Sequence, residues 1–353
     1  MIGLCRTIRT WHPPLIGFAL AMTVLVMVSA VGYVVDPRVL VGAPIWAKPL
    51  KFGVSFAVYA VTLAWMLSLL QRPRLQRLGR RTGTVLAVAS SVEMAAIVLQ
   101  VIRGRQSHFN ESTPFDAAVY AAMGGTVVVI FTCAVIVAVA VAVTPLADRA
   151  ITWAVRLGLG ICLAGMAVGF LMVVPRAAQL QGDTGTVGAH SVGVADGGAA
   201  LPFLGWSTTG GDLRIAHLIG MHALQALPLL ALTLTLLPVA ARSTARTRVQ
   251  IVVLAAVAYA GVVALTLWQA LRGQAVIHPD TTTGLAAVVL LGVLAVGALA
   301  IGYDARRGSD GLERLDPDRG LERADAGEER GGGRAGLVLV ERGTVAVDLV
   351  EHP

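Results

Sequence analysis

QVIRGRQSHFNESTPFDAAV, residues 100–119, meets QALRGQAVIHPDTTTGLAAV, residues 269–288, without a gap at a constant offset of 169. Gln100, Arg103, Gly104 and Thr113 fall on Gln269, Arg272, Gly273 and Thr282. Ala and Val coincidences carry little weight in so apolar a chain, but Gln, Arg, Gly and Thr in one register do. At other offsets, the segment 151–176 also looks like a copy of the first span, with Thr10-Trp11 matching Thr152-Trp153 and Pro37-Arg38 matching Pro175-Arg176. The chain therefore reads as a duplicated unit, and the places where its copies differ are the first places to look for function.

The 353 residues are 56% hydrophobic and 14% charged, with a mean hydropathy of +0.74. Soluble domains carry about a quarter charged residues. The apolar residues fall into blocks near the roughly 20 residues that cross a bilayer as a helix. Eight spans are expected, at about 15–35, 50–70, 82–103, 117–143, 157–175, 214–238, 249–271 and 284–303. The expected fold class is all-α: a polytopic membrane protein of eight transmembrane helices arranged as two tandem four-helix repeats. The first repeat would occupy 1–149 and the second 150–303, with a long outer loop at 177–213 and a disordered cytoplasmic tail at 304–353. The tail is dense in Arg, Glu, Asp and Gly, too polar to order itself by burial, although 337–350 alternate weakly enough for a hairpin.

A net charge of +7 could point to nucleic acid, but its placement points to lipid. Arg72, Arg74, Arg77, Arg80 and Arg81 crowd one connection, Arg242, Arg246 and Arg248 another, Arg6 and Arg9 precede the first span, and Arg306 and Arg307 follow the last. With alternating spans all four groups lie on one side. The positive-inside rule makes that side cytoplasmic, with both termini there, and the expected location is a bacterial inner membrane. Basic groups beside anionic headgroups need no nucleic-acid partner. The first span has a basic start and Val28-Ser29-Ala30 like a cleavage site, yet it runs on to Val35 and is read as a retained helix. Cys5, Cys133 and Cys162 have no metal or redox spacing and read as packing residues.

Five of the seven histidines, His108, His190, His217, His222 and His278, map to the outward side. Imidazole suits copper, zinc and haem iron, so this set is the first candidate for a cofactor site, with His217, Met221 and His222 as metal ligands. Positions i and i+5 lie about 140° apart on a helix, so His217 and His222 would need a ligand from another helix. Glu93, deep in the third span opposite Val262 in the repeat, is the second candidate, because an intramembrane carboxylate is costly unless neutral, paired or hydrated. It could relay protons, bind a cation or balance one.

Arg103 and Arg272, each three residues after its Gln, offer an anion site, or else simply end their helices with the following glycine. Thr113-Pro114-Phe115-Asp116 has the form of a helix start. Lys48 lies beside Trp46 at the mouth of the second span, and the equivalent mouth of the sixth holds Asp212, Arg214 and His217. Asp212 is placed to cap that helix, Pro228 should kink it, and the polar stretch from Trp206 to Asp212 could fold over the mouth.

Walker loops, dinucleotide fingerprints, nucleophile elbows, His-Glu-x-x-His and Cys-x-x-Cys-His are absent from the sequence. The stretches PIWAKPLKF at 44–52, SHFN at 107–110 and GGDLR at 210–214 resemble uncharacterised multi-pass bacterial inner-membrane proteins. The 4+4 layout is similar to that of haem A synthases, but the first half has Lys48 and Gly53 where the second has His217 and His222. That activity is not carried across. Three functions remain open: redox or metal/haem handling by outer-face histidines, transport of a small molecule or ion through a cavity between the repeats using Glu93, and non-catalytic assembly or sensing. The lipid bilayer is the one partner expected.

Overall fold

A computed structural model describes residues 11–182, 185–236 and 243–313. Among them are eight helices long and apolar enough to cross a membrane, and the protein is a multi-pass membrane protein. They are α1 (Pro13–Val35), α2 (Ala47–Ser68), α3 (Pro73–Arg103), α4 (Pro114–Ala142), α5 (Arg149–Met172), α6 (Leu213–Leu236), α7 (Ala245–Leu271) and α8 (Thr281–Glu313). Two short antiparallel pairs lie in the connections: β1 (Val39–Leu40) with β2 (Ala43–Pro44), and β3 (Ser191–Val192) with β4 (Gly211–Asp212). The chain divides into two units after Ala305, and of the second unit residues 306–313 are helical.

The helix ends follow local chemistry. Thr113 caps α4 by accepting from the Asp116 amide, with Pro114 at the first position. Asp148 caps α5 and Thr244 caps α7 in the same way. Gly104 ends α3 at φ +68, a left-handed conformation that an L side chain seldom adopts. His12 caps α1 through its ring: Nδ1 accepts from the Leu15 amide while Nε2 meets the Arg80 carbonyl of α3.

Three boundaries differ from expectation. Arg74, Arg77, Arg80 and Arg81 belong to α3 rather than to a connection, because Pro73 starts the helix and arginine is a good helix former once outside the hydrocarbon. Arg246 and Arg248 likewise lie in α7. α8 continues through Glu313, past the expected end at 303. At 31 residues α3 is about 46 Å long and overreaches a hydrocarbon core of about 30 Å. Residues 314–353, including the expected hairpin, lie outside the described residues, as do Cys5, Arg6, Arg9 and Arg242.

α1 packs against α2 and α3, and α3 against α2 and α4. In the rest of the chain α5, α6 and α7 form a three-helix group. The closest approach is between α5 and α6, where small residues recur along α5 at Gly158, Cys162, Gly165 and Gly169. A β-carbon on Gly165 would stand 2.6 Å from the Gly220 Cα, and one on Gly158 2.8 Å from the Ala223 carbonyl oxygen. Lipid is as apolar as leucine, so close backbone packing is what holds such helices together. Tyr259 of α7 joins the group by donating to the Ile219 carbonyl at 2.8 Å. Where a long loop is expected, the described residues 185–212 fold as a cap. Val187 donates to the Phe109 carbonyl, Lys51 reaches the Phe203 and Leu204 carbonyls, and Gly197 packs on Gly42.

Leucine at position 165 is expected to wedge α5 from α6 and lower stability by at least the roughly 1–3 kcal/mol typical of overpacking. Gly160, on the same helix with nothing within 4 Å of its would-be β-carbon, serves as control. Detergent thermal melts should show a clear drop for Gly165→Leu and little change for Gly160→Leu.

Candidate functional site

α3 buries one continuous stripe, and four of its members are polar: Thr82, Ser90, Glu93 and Gln100. Glu93 is 2% exposed and lies about 15 Å along the helix from Arg103. Thr126 of α4 is 2.6 Å from its Oε2. Its Oε1 has no hydrogen-bond partner, and His108 Nε2 stands 3.5 Å away, just beyond ordinary hydrogen-bond length. The connection after α3 therefore brings its histidine back against a carboxylate three turns down the helix.

His108 Nδ1 meets Lys48 Nζ of α2 at 3.0 Å and Ser107 Oγ at 3.2 Å. An ammonium can only donate, so Nδ1 accepts and the neutral ring carries its proton on Nε2, facing Glu93. Lys48, His108, Glu93 and Thr126 thus form one chain across three helices and a loop. Phe109 wedges the loop in place. It is buried, holds φ at 62, and its ring lies against His108, His190 and Tyr120. A bulky residue in left-handed backbone persists only where its surroundings enforce it.

Beside this chain the cap supplies a second pair. Asp196 Oδ2 is 2.7 Å from His190 Nδ1, and the same carboxylate accepts the backbone amides of His190 and Ser191. Burial pushes the Asp196 carboxyl up, but the His190 ring and the two amides outweigh it and hold the group below the usual carboxylate range. Burial also holds His190 below the ordinary imidazole value against the opposing pull of Asp196. His108 is held well below it, by burial first and by Lys48 next.

The other sequence candidates separate. His217 Nδ1 engages the Gly165 carbonyl at 2.8 Å, its ring seated over Gly169, whereas His222 Nδ1 meets Gln225 Oε1 at 3.2 Å. Met221 packs against the apolar core. The five-residue spacing on α6 turns the two rings to different neighbours. Among the described residues no group of three or more His, Cys, Asp and Glu is arranged to hold a metal ion. His278 is exposed in the α7–α8 connection and joins neither pair.

Both arginines of the repeated motif are occupied. Arg103 meets Gln100 and Asp116 and stacks on Phe115; Arg272 meets Asp280 and Thr283 and stacks on Trp268. They tie helix ends together and leave little to offer an anion. The Asp280 carboxyl is held far below the usual range, by its Arg272 hydrogen bond first and the Thr283 amide next. Asp212 caps α6 through the Arg214 amide and also binds the Arg214 guanidinium and the Ser207 amide. Arg214 continues to the Gly205 carbonyl. Trp206 is half-buried, its carbonyl accepting from Leu201. The polar stretch before α6 is thus pinned over the mouth of the bundle by Asp212, Arg214 and Lys51.

Thr126 and Asp196 were not singled out by sequence. Thr126 sits near the depth of Glu93 on the next antiparallel helix, which a count from the α3–α4 connection could have indicated; nothing local marks Asp196. Compared with models of known protein families, with curated proteins and with solved structures, the chain finds no match.

The two histidines impose a pH dependence. Each folded-state value lies below the unfolded one, near 6.5, so the unfolded chain binds more protons once the pH falls below it. Their stabilisation is complete above about pH 6.5 and is lost as pH drops toward the lower folded values, by up to about 1.4 kcal/mol per pH unit for each ring. Thermal melts from pH 8 to 5 should decline across this window, and His190→Gln should flatten the decline.

Proposed function

We propose that this protein is a proton-linked transporter of a small molecule or ion in a bacterial inner membrane, with Glu93 as proton carrier and His108 as relay. The observation that carries this reading is the unpaired Oε1 of buried Glu93 facing His108 Nε2, while Nδ1 of the same ring faces Lys48. A proton passing from the Lys48 ammonium to Nδ1 is matched by one leaving Nε2 for Oε1. The ring remains neutral, Glu93 becomes a carboxylic acid, and the half-buried Lys48 amine regains its proton from water. Neutral histidine is the state that permits this exchange, and burial favours it.

Thr126 suits both states of the carboxyl. Its single hydroxyl lies within reach of Glu93 Oε2 at 2.6 Å and of the Met123 carbonyl at 2.8 Å. It donates to ionised Glu93. When Glu93 is protonated, the carboxyl donates to Thr126 and the hydroxyl proton turns to Met123. A low-dielectric interior penalises any unpaired polar atom, so a partner that serves both states lowers the cost of cycling between them.

The redox and metal/haem reading has less support, because His217 and His222 are engaged separately and no ligand set converges among the described residues. Assembly or sensing without transport gives no reason for a buried carboxylate facing a relay. In the proposed layout the two four-helix repeats, 1–149 and 150–303, run parallel about an axis along the membrane normal. Their seam includes Gln225 of α6 donating to Thr62 of α2 at 3.3 Å. The parallel use of Arg103 and Arg272 at corresponding helix ends supports the duplication, as does the seating of Arg38 and Arg176 on carbonyls of neighbouring segments. The capped end faces outward and the arginine-rich end faces the cytoplasm, with both termini there.

Proteoliposomes loaded with a pH-sensitive dye test the proton path under a potassium-valinomycin potential. Wild type should change the lumenal pH, Glu93→Gln should slow it at least tenfold, Thr126→Val should slow it and Thr126→Ser should restore it. A Glu93→Gln rate equal to wild type removes the carrier role. Sidedness is read separately in a cysteine-free background: a membrane-impermeant maleimide should label Ala199→Cys in intact cells and Arg74→Cys only after permeabilisation. The reverse pattern inverts the topology.

A further inference from the structure

α3 presents two opposite stripes. One is the buried stripe that carries Glu93. The other is exposed and runs through Arg74, Arg77, Leu78, Arg81, Val85, Val88, Val92 and Leu99. These positions recur at three and four residues, so they share one helix face. The three arginines stand in the first turns, at neighbouring levels, and Arg74, Arg77, Leu78 and Arg81 line a single shallow cleft. A second cleft beside it is lined by Arg80, Arg81, Thr84 and Val85. Leu78, 43% exposed, lies among the arginines, and above them the stripe is wholly apolar, with Val85 48% and Val88 59% exposed.

Three further facts define what fits there. None of Arg72, Arg74, Arg77, Arg80 and Arg81 forms an ion pair among the described residues, although most other arginines near helix ends, such as Arg38, Arg103, Arg214, Arg248 and Arg272, do. The first turn of α3 has no acidic residue and its leading residue makes no side-chain cap, so its amide dipoles add to the positive field. From Arg81 to Val92 the apolar stripe rises about 16 Å, close to half the roughly 30 Å hydrocarbon thickness. A positive head followed by one leaflet's depth of apolar face is the complement of an anionic lipid. An acidic protein segment would match the arginines and leave the valines unused.

We propose that this face of α3 is a binding site for an anionic phospholipid, its phosphate held by Arg74, Arg77 and Arg81 and its acyl chains laid along Leu78, Val85 and Val88. Guanidinium suits this role because its planar fork pairs with two phosphate oxygens at once and remains charged at any physiological pH. The site lies on the same helix as Glu93 but on its opposite face, so it is independent of the proton path.

Native mass spectrometry of the full chain released from bilayers of equal phosphatidylglycerol and phosphatidylcholine tests the site. Wild type should retain phosphatidylglycerol in preference, and Arg74→Gln/Arg77→Gln/Arg81→Gln should lose at least fivefold of that retention. Arg105→Gln, a loss of charge at the far end of α3, should leave it unchanged. Because removing three charges could disturb insertion, Arg77→Gln alone, with thermal melts in added phosphatidylglycerol, provides a milder measurement and should show about half the stabilising shift. Equal retention of the two lipids, retention unchanged in the triple and single variants, or equal stabilisation by inorganic phosphate overturns the proposal.

Discussion

A carboxyl group inside a helix bundle within lipid has no water to solvate it and must find its partners in the protein. Glu93 sets that requirement here, and much of the surrounding structure answers it. Thr126 reaches across from α4, His108 returns from the α3–α4 connection, and Lys48 stands at the start of α2 behind the imidazole. The return of His108 depends on Phe109 holding an unfavoured backbone conformation, and Phe109 is clamped in turn by Tyr120 and His190. The cap between α5 and α6 therefore belongs to the same construction as the buried carboxyl, although more than 90 residues separate Glu93 from His190.

The two halves use different means for similar tasks. Around α5 and α6, cohesion comes from backbone approaching backbone where glycine removes the β-carbon. In the first four helices it comes more from interlocked side chains, with Leu63, Leu86, Met94, Ile97 and Met123 fully enclosed. α8 differs again. None of its apolar window is fully buried, and it meets α7 where Leu290 lies over Gly261 and Gly297 against Leu254. In a bilayer such a face is solvated by acyl chains, so exposure of leucine and valine there carries no penalty.

Histidine illustrates how a shared location differs from a shared site. Five rings were expected near one face of the membrane. His108 and His190 flank one phenylalanine, His217 and His222 are held by Gly165 and Gln225, and His278 stands apart. Hydrogen-bond partners divided them, and periodicity along a single helix could foretell only the divergence of His217 from His222. Asp196 carries no signal in the sequence, because a loop aspartate has no period and its histidine partner lies six residues away, in a segment whose path is set by the cap.

Local chemistry written in the chain determined the eight apolar spans, the glycine that closes α3, the threonine and proline that open α4, and the cost of Glu93 in lipid. Each follows from hydropathy or from backbone preference within a few residues. What surrounds Glu93 was decided by tertiary structure alone. The depth at which antiparallel helices pass each other sets Thr126 beside it, and the fold of a ten-residue connection sets His108 against it. Those distances depend on how side chains interlock across separate helices, which no single segment contains.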